Sequence, residues 1–331
     1  MAGKWTAEKI MDITSGYRSA CVLFAAAELD IFSILDGSAA GSQAVAAKLV
    51  ADARATAVLL DALTAMGLLV KEGAKYSVGP GVTELLTERG TANILGMVRH
   101  QANCVRWWVQ LAEIVKNGKP AERQPSLRGA GADQAAFIGA MHNFSEPAAA
   151  QVVAELAPLK FRHLLDIGGA SGTWTIAFLR AADEARATIF DLPEVIPMAK
   201  RRIAEKGLGE RVTFAGGDFY TDDLPAGADF AWLGAIAHQN SREQNRQLFT
   251  KIYAALEAGG TVVLRDVVMD PTRTRPEAGA MFAINMLVAT EGGGTYTFEE
   301  YRSDLMGAGF GDVTLLRQDE FMNSLVRAAK L

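Results

Sequence analysis

Apolar residues recur at helical spacing from the start of the chain: Ile10, Ile13, Tyr17, Ala20, Leu23 and Phe24, then Leu29, Phe32 and Leu35. Steps of three and four residues gather them on one helix face, so residues 6 to 35 are predicted as helices, more apolar than a lone surface layer needs. Ser42 to Leu49, a short break at Ala51 to Ala53, and Arg54 to Met66 then read as helix, turn, helix. Two short apolar runs, Leu68-Leu69-Val70 and Lys75-Tyr76-Ser77-Val78, flank Glu72-Gly73 and predict a hairpin wing. Residues 94 to 160 return to helical spacing and hold Trp107, Trp108, Phe137, Met141, His142 and Phe144. Core packing is the ordinary fate of such an aromatic and methionine stripe. His100 and His163 are expected to be structural.

From residue 163 onward the pattern changes again. Short apolar runs at His163–Ile167, Ala187–Asp191, Val212–Ala215, Asp229–Leu233 and Thr261–Val268 alternate with helical stretches such as Glu194–Glu205 and Glu243–Leu256. Such alternation predicts a parallel sheet covered by helices on both faces. Val313–Leu316 and Ser324–Ala328 follow each other closely and predict a closing antiparallel hairpin. In open α/β sheets ligands sit beyond the carboxyl ends of the strands, and Asp166, Asp191, Asp218 and His238 all fall at or just after predicted strand ends.

The first of these strands leads into Asp166-Ile167-Gly168-Gly169-Ala170-Ser171-Gly172, a glycine turn that opens a helix. Glycine lets the backbone adopt left-handed conformations and lets a ligand approach the main chain, while the helix start presents unpaired N–H groups. The dinucleotide fingerprint is G-x-G-x-x-G, whereas the glycines here run G-G-x-x-G. Asp166 also weighs against a pyrophosphate, because a carboxylate at that point repels phosphate and attracts an ammonium group. S-adenosylmethionine carries an ammonium and a sulfonium and no phosphate. Asp191, 25 residues after Asp166, suits the two ribose hydroxyls of an adenosine ligand, as it also would in an NAD enzyme, with capping of the next helix as its structural alternative. Asp218 with Phe219 suits adenine, or a simple turn.

Composition narrows the function without choosing it. The chain has 331 residues, 50% hydrophobic and 21% charged, with a net charge of −5, so two domains fit and no polyanionic partner is implied. Cys21 and Cys104 are far apart and outside any C-x-x-C, which indicates a reducing cytosol; no signal-peptide core or membrane-spanning run is visible, so a cytoplasmic location is expected. The helix-turn-helix and wing also raise a transcription factor as a rival. From 38 to 90, however, Lys48, Arg54, Lys71, Lys75 and Arg89 are balanced by Asp52, Asp61, Glu72, Glu84 and Glu88. A DNA-binding face needs net positive charge. No metal-ligand spacing is evident.

Asp166-Ile-Gly-Gly-Ala-Ser-Gly172 resembles motif I of the class I S-adenosylmethionine-dependent methyltransferases. With Phe190-Asp-Leu-Pro-Glu-Val195 and Gly217-Asp-Phe219, the chain is similar to the small-molecule O-methyltransferases, a family that includes plant caffeic acid and acetylserotonin enzymes and bacterial polyketide enzymes. The resemblance implies an α/β fold: a Rossmann-like methyltransferase sheet with an N-terminal helical, winged-helix dimerisation domain. It divides the chain into residues 1–95 for dimerisation, 96–160 as a helical bridge contributing to the substrate pocket, and 161–331 for cofactor binding and catalysis. It implies S-adenosylmethionine as cofactor, S-adenosylhomocysteine as product, no metal, a homodimer and a small aromatic substrate. Cofactor contacts are expected from Asp166, Gly168, Gly169, Gly172, Asp191, Leu192, Asp218 and Phe219, and pocket contacts from Trp108, Met141, His142 and Met286.

His238, just after an apolar strand, would otherwise be read as a helix cap or a satisfied buried histidine; in the family this position is the general base. A phenol with a pKa of about 10 needs such help at neutral pH, and an imidazole near 6.5 is a suitable acceptor. Asp266, 28 residues later, interrupts an apolar strand at the position where the family has a Glu holding the imidazole, and a buried acid is costly unless paired. Three departures stand out. His238-Gln239-Asn240 replaces the family's His-Asp-Trp, Gly234 replaces a cofactor-contacting Lys or Arg, and Thr295 replaces the second Glu beside the base. The last leaves open a C- or N-methyltransferase or a non-methylating relative; an S-adenosylmethionine-sensing regulator is a further rival.

Overall fold

The computed structural model describes residues 4–169 and 171–331. Met1–Gly3 lie outside the described residues, as does Ala170 of the glycine loop. The chain forms two compact units: residues 1–106 with 123–144, and residues 107–122 with 145–331. The stretch expected as one helical bridge is therefore shared between the two.

The first unit opens with α1 (Ala7–Ser15), α2 (Tyr17–Glu28) and α3 (Ile31–Leu35). Thr6 caps α1 by accepting from the Lys9 N–H. None of the residues of α1 is buried, and Ile10, Met11 and Ile13 are 51%, 63% and 67% exposed. Next come β1 (Ala40–Gly41), α4 (Ser42–Leu49), α5 (Ala53–Ala65), β2 (Leu69–Glu72), β3 (Lys75–Val78) and α6 (Val82–Leu86). Asp52 starts α5 by accepting from the Ala55 N–H at 2.7 Å, an N-cap worth roughly 1 kcal/mol. The antiparallel wing pairs Leu69 with Val78 and Glu72 with Lys75. β1 adds a third strand against β3; at two residues it is too short to show any period in the sequence. Phe32, Leu35, Val45, Leu60, Leu63, Leu69 and Tyr76 form the core of this unit, each apolar side chain contributing about 1.5–3 kcal/mol on burial. Asp61 on α5 pairs with Lys71 and accepts from the Tyr76 hydroxyl, which offsets one of the few positive charges near the would-be recognition helix.

The connecting helices are α7 (Leu95–Trp108), α8 (Leu111–Asn117) and α9 (Ala130–Glu155), the last with Pro147 inside it. His100 lies on α7 with its Nε2 3.5 Å from the Cys104 sulfur. The second unit continues with β4 (His163–Ile167), α10 (Thr173–Ala181), β5 (Arg186–Asp191), α11 (Ile196–Glu205), β6 (Val212–Gly216), β7 (Ala228–Gly234) and α12 (Arg242–Ala255). It ends with β8 (Leu256–Asp266), β9 (Val268–Met269), α13 (Glu277–Ala289), β10 (Tyr296–Thr297), α14 (Phe298–Gly307), β11 (Gly311–Arg317) and β12 (Ser324–Ala329).

Seven strands form one sheet in the order β11-β12-β8-β7-β4-β5-β6. The strands from β8 to β6 run parallel, and β12 joins antiparallel to both β8 and β11. Alternation along each strand divides the core. Leu165, Ile167, Leu233 and Leu264 face Leu248, Phe249 and Ile252 of α12 and Leu305 of α14. Leu164, Trp232, Val263 and Leu325 face Trp174 and Phe178 of α10, Ile203 of α11 and Val152 of α9. The expected strand 261–268 is corrected at both ends. β8 starts at Leu256 and crosses an irregularity between the pairs Ala228/Leu256 and Phe230/Thr261, and it stops at Asp266 because Val268 pairs instead with Tyr296 of β10.

Candidate active site

The topological switch point lies between β4 and β7, where the strand order reverses, and the ends of these strands carry the chemistry. Gly168 and Gly172 have φ of +68° and +69°, the left-handed region that favours glycine. A Cβ on Gly168 would lie 2.6 Å from Ile236 Cδ1. Ile236 immediately precedes the short 3₁₀ turn Ala237–Gln239, so the glycine loop lies directly against the turn that carries His238. Arg202 of α11 holds the loop from the other side by donating to the Ser171 carbonyl at 2.9 Å.

Asp166 does not stand open at the strand end as a bare carboxylate. It is 1% exposed, and its Oδ2 accepts from the Thr175 hydroxyl at 2.6 Å. Burial pushes its pKa up to about 7, and the hydroxyl and backbone N–H of Thr175 pull it back only in part. The physical reason is the loop itself: Gly169 covers the carboxyl, and even a Cβ there would come within 2.8 Å of its Cγ. Asp191 ends β5 half-buried and accepts from the Leu192 N–H at 2.7 Å, with the Leu192 side chain 40% exposed. Asp218 follows β6 and accepts from the Tyr220 N–H at 2.9 Å, with Phe219 half-buried beside it. These groups lie at or just after the carboxyl ends of β4, β5 and β6, three neighbouring strands of the sheet.

His238 and Asp266 are brought together. Nδ1 of His238 lies 2.9 Å and 3.1 Å from the two carboxylate oxygens of Asp266. The same carboxylate accepts from the His238 backbone N–H at 3.1 Å and from the Val267 N–H at 2.7 Å. An ionised carboxylate accepts only, so Nδ1 carries the proton and Nε2 keeps its lone pair. Both residues are nearly inaccessible, at 8% and 2%, and this dense set of donors answers the cost of burying the acid.

Phe282 of α13 meets the His238 ring edge to face at 4.8 Å, and Phe321 in turn meets Phe282 at 5.4 Å. Neither phenylalanine was singled out from the sequence, because α13 is apolar nearly all round and offers no face to distinguish. Met286, one turn further along α13, is buried. Trp108 donates from Nε1 to Asn285 at 2.9 Å and packs with Trp107, Leu111 and Ile284. Met141 and His142 lie on α9 within the first unit, half-buried.

The three departures acquire physical meaning. Asn240 is fully buried: its side chain accepts from the Tyr220 hydroxyl at 2.5 Å and donates to Asn245 at 3.0 Å, and its carbonyl accepts from the Tyr296 hydroxyl. Asn245 then donates to the Ala237 carbonyl at 2.9 Å. A polar network thus holds the histidine turn. Gly234 is required by its neighbour, since a Cβ there would lie 2.5 Å from Trp232 Nε1. Thr295 is buried, and its carbonyl accepts from Arg273 at 2.8 Å. Gly293 and Gly294 bring this segment onto His238, whose carbonyl accepts from the Gly294 N–H at 2.8 Å. Among the described residues no cluster of three acidic, histidine or cysteine side chains suits a metal ion.

A parallel sheet with this strand order, an antiparallel closing hairpin and a glycine loop after its first strand defines an α/β methyltransferase-type domain. The chain belongs to the O-methyltransferase family: residues 108–311 match its O-methyltransferase domain, and residues 11–87 match its dimerisation domain. It is 32% identical over 310 residues to the tetracenomycin polyketide synthesis 8-O-methyl transferase TcmO of Streptomyces glaucescens, covering 92% of this chain and 91% of that one. It is 30% identical to 3-hydroxy-5-methyl-1-naphthoate 3-O-methyltransferase of Streptomyces sahachiroi, covering 93% and 90%. The N,N-dimethyltransferase OxyT of Streptomyces rimosus is 28% identical, covering 97% and 94%. Among solved structures, PigF with SAH superimposes with a TM-score of 0.86 at 26% identity, over 98% of this chain and 100% of that one.

Proposed function

We propose that this protein transfers a methyl group from S-adenosylmethionine to a hydroxyl of a small aromatic, phenolic or polyketide-like substrate, with His238 as general base oriented by Asp266. The observation that carries this reading is the bond from His238 Nδ1 to Asp266 at 2.9 Å. It fixes the tautomer, so Nε2 is the atom that receives the acceptor's proton. Phe282, edge-on to the imidazole, restrains the ring's rotation and gives an aromatic acceptor an apolar wall. When bound, the cofactor supplies a methyl group on a sulfonium, which becomes a neutral thioether as the acceptor oxygen bonds to the methyl carbon.

The residues at these strand ends fit that cofactor. Gly168, Gly169 and Gly172 leave the loop backbone bare; Asp166, beneath the loop, would balance the ammonium, Asp191 and Leu192 would hold the ribose, and Asp218 and Phe219 would hold the adenine. Trp108, Met141, His142 and Met286 are assigned to the acceptor pocket. Screening phenols with methyl-labelled cofactor tests the reading: a product heavier by one methyl on oxygen supports it, whereas transfer only to nitrogen or carbon assigns the chain to another branch. The similarity to OxyT keeps a nitrogen acceptor as a second reading.

The dimerisation-domain match, with Ile10, Met11, Ile13 and Tyr17 more than half exposed, supports a homodimer built on residues 6 to 35. Deleting roughly the first 35 residues should abolish the dimer or cause aggregation in sedimentation analysis; a soluble, active monomer would remove that segment from the interface. A cytoplasmic location is part of the proposal, since Cys21 and Cys104 are far apart in the chain and outside any C-x-x-C.

A further inference from the structure

Lys251 on α12 spends its ammonium on backbone. Its Nζ donates to the carbonyls of Phe219 at 2.9 Å, Tyr220 at 3.1 Å and Asp222 at 2.8 Å. An ammonium has three donors, so all of them go to one turn, residues 217 to 222, which follows β6. Holding a long side chain in one geometry costs rotamer entropy, and lysines ordinarily keep the charged head in water. The turn already closes on itself: Asp222 Oδ2 accepts from the Asp218 N–H at 2.8 Å, and the Asp222 N–H donates to the Asp218 carbonyl at 2.7 Å. Those bonds fix its shape, whereas Lys251 fixes its place against α12. Two further ties anchor it elsewhere: the Gly217 N–H donates to the Asp191 carbonyl at 3.0 Å, and the Tyr220 hydroxyl donates to Asn240 at 2.5 Å. A Cβ on Gly217 would lie 2.7 Å from Phe190 Cζ, so the turn presses directly on a side chain of β5.

Asp218 is the group whose position these ties decide. Its Oδ1 accepts from the Tyr220 N–H at 2.9 Å, and its Oδ2 makes no hydrogen bond among the described residues. A charge-assisted bond to a ligand is strongest when its acceptor needs no ordering on binding, and adenine offers a 6-amino group to such an acceptor. Resting on the proposed use of S-adenosylmethionine, we propose that Lys251 is a positioning residue: by tying the turn to α12 it holds the Asp218 carboxylate where it accepts from the cofactor's 6-amino group. The lysine itself touches no ligand. Arginine is no substitute, because its planar fork suits a carboxylate and not three carbonyls gathered around one nitrogen.

The test is calorimetry with S-adenosylhomocysteine and with its 6-deamino analogue, in which purine replaces adenine and only the amino group is lost. The native protein should bind S-adenosylhomocysteine more tightly by roughly tenfold, as a bond to a charged acceptor gives. Lys251→Met, with its fold checked by circular dichroism, keeps the length of the side chain and removes the ammonium. It should weaken S-adenosylhomocysteine and leave the analogue within about twofold of its native affinity, so that the gap closes. Lys251→Arg keeps the charge without the geometry and should narrow the gap by a few-fold; it carries the test if Lys251→Met does not fold. A gap of native size in the variants, equal weakening of both ligands, or no gap in the native protein overturns the proposal. Failure of the native protein to bind either ligand sinks the cofactor reading instead.

Discussion

Two buried acids end two strands of the same sheet, and they are treated in opposite ways. Asp266, at the end of β8, accepts from three N–H groups, two of them backbone and one the imidazole of His238. Asp166, near the end of β4, accepts among the described residues from the hydroxyl and N–H of Thr175, and its pKa is driven up to about 7 by burial. The first is finished: its lone pairs are spent on holding a base in one tautomer. The second is left short of positive charge, which a cationic ligand would supply. The catalytic side of the cleft is thus preorganised by the chain, whereas the cofactor side is completed on binding.

The comparison is broken most forcefully at the histidine. His238→Ala should cut turnover by roughly 10²–10⁴-fold while calorimetry finds cofactor affinity little changed. Asp266→Asn should slow transfer by about tenfold to a thousandfold with the fold intact, because an amide can present its NH₂ to Nδ1 and favour the wrong tautomer. Its circular dichroism spectrum should match that of the native protein.

The smallest effect is expected at Asp166 and reads out in pH. Its raised pKa means that the ligand-free fold holds the proton more tightly than the unfolded chain, whose aspartates titrate at about 3.9. Stability from this group is complete below that value and is lost as pH rises to about 7. A bound ammonium favours the ionised form, so cofactor affinity should climb as pH rises from 5 toward about 7 and then level off. The ligand's amino group remains protonated through that range. Asp166→Asn should flatten the climb; an unaltered slope in that variant would place the ammonium elsewhere.

Strong local signals carried much of this into the sequence. The alternation after residue 163 laid out all seven strands of the main sheet, and the apolar strand interrupted by Asp266 pointed to a partner before His238 was found beside it. What the sequence hid depends on contacts between distant segments. Tyr220, Asn245 and Tyr296, distant in sequence, all bond to Asn240. Phe282 reaches the imidazole from a helix that is apolar nearly all round, and Phe321 backs Phe282 from an irregular loop. Gly234 looked like a simple loss until the Trp232 indole was seen over it. The same limit applies to Asp166, whose burial under Gly169 follows from the path of the loop and not from spacing.

The central claim, that His238 Nε2 takes the acceptor's proton, is tested most directly by comparing native protein and His238→Ala on phenols of graded acidity. A phenol already ionised at the assay pH needs no base, so the penalty of the substitution should fall steeply as phenol pKa falls from about 10 toward neutrality. Single-turnover rates at saturating cofactor give the penalty for each phenol. The account predicts a loss of at least about a hundredfold on an unactivated phenol that shrinks to a few-fold on the most acidic one. A loss that is the same for every phenol, or no loss on the unactivated one, would contradict it and leave transfer to proximity alone.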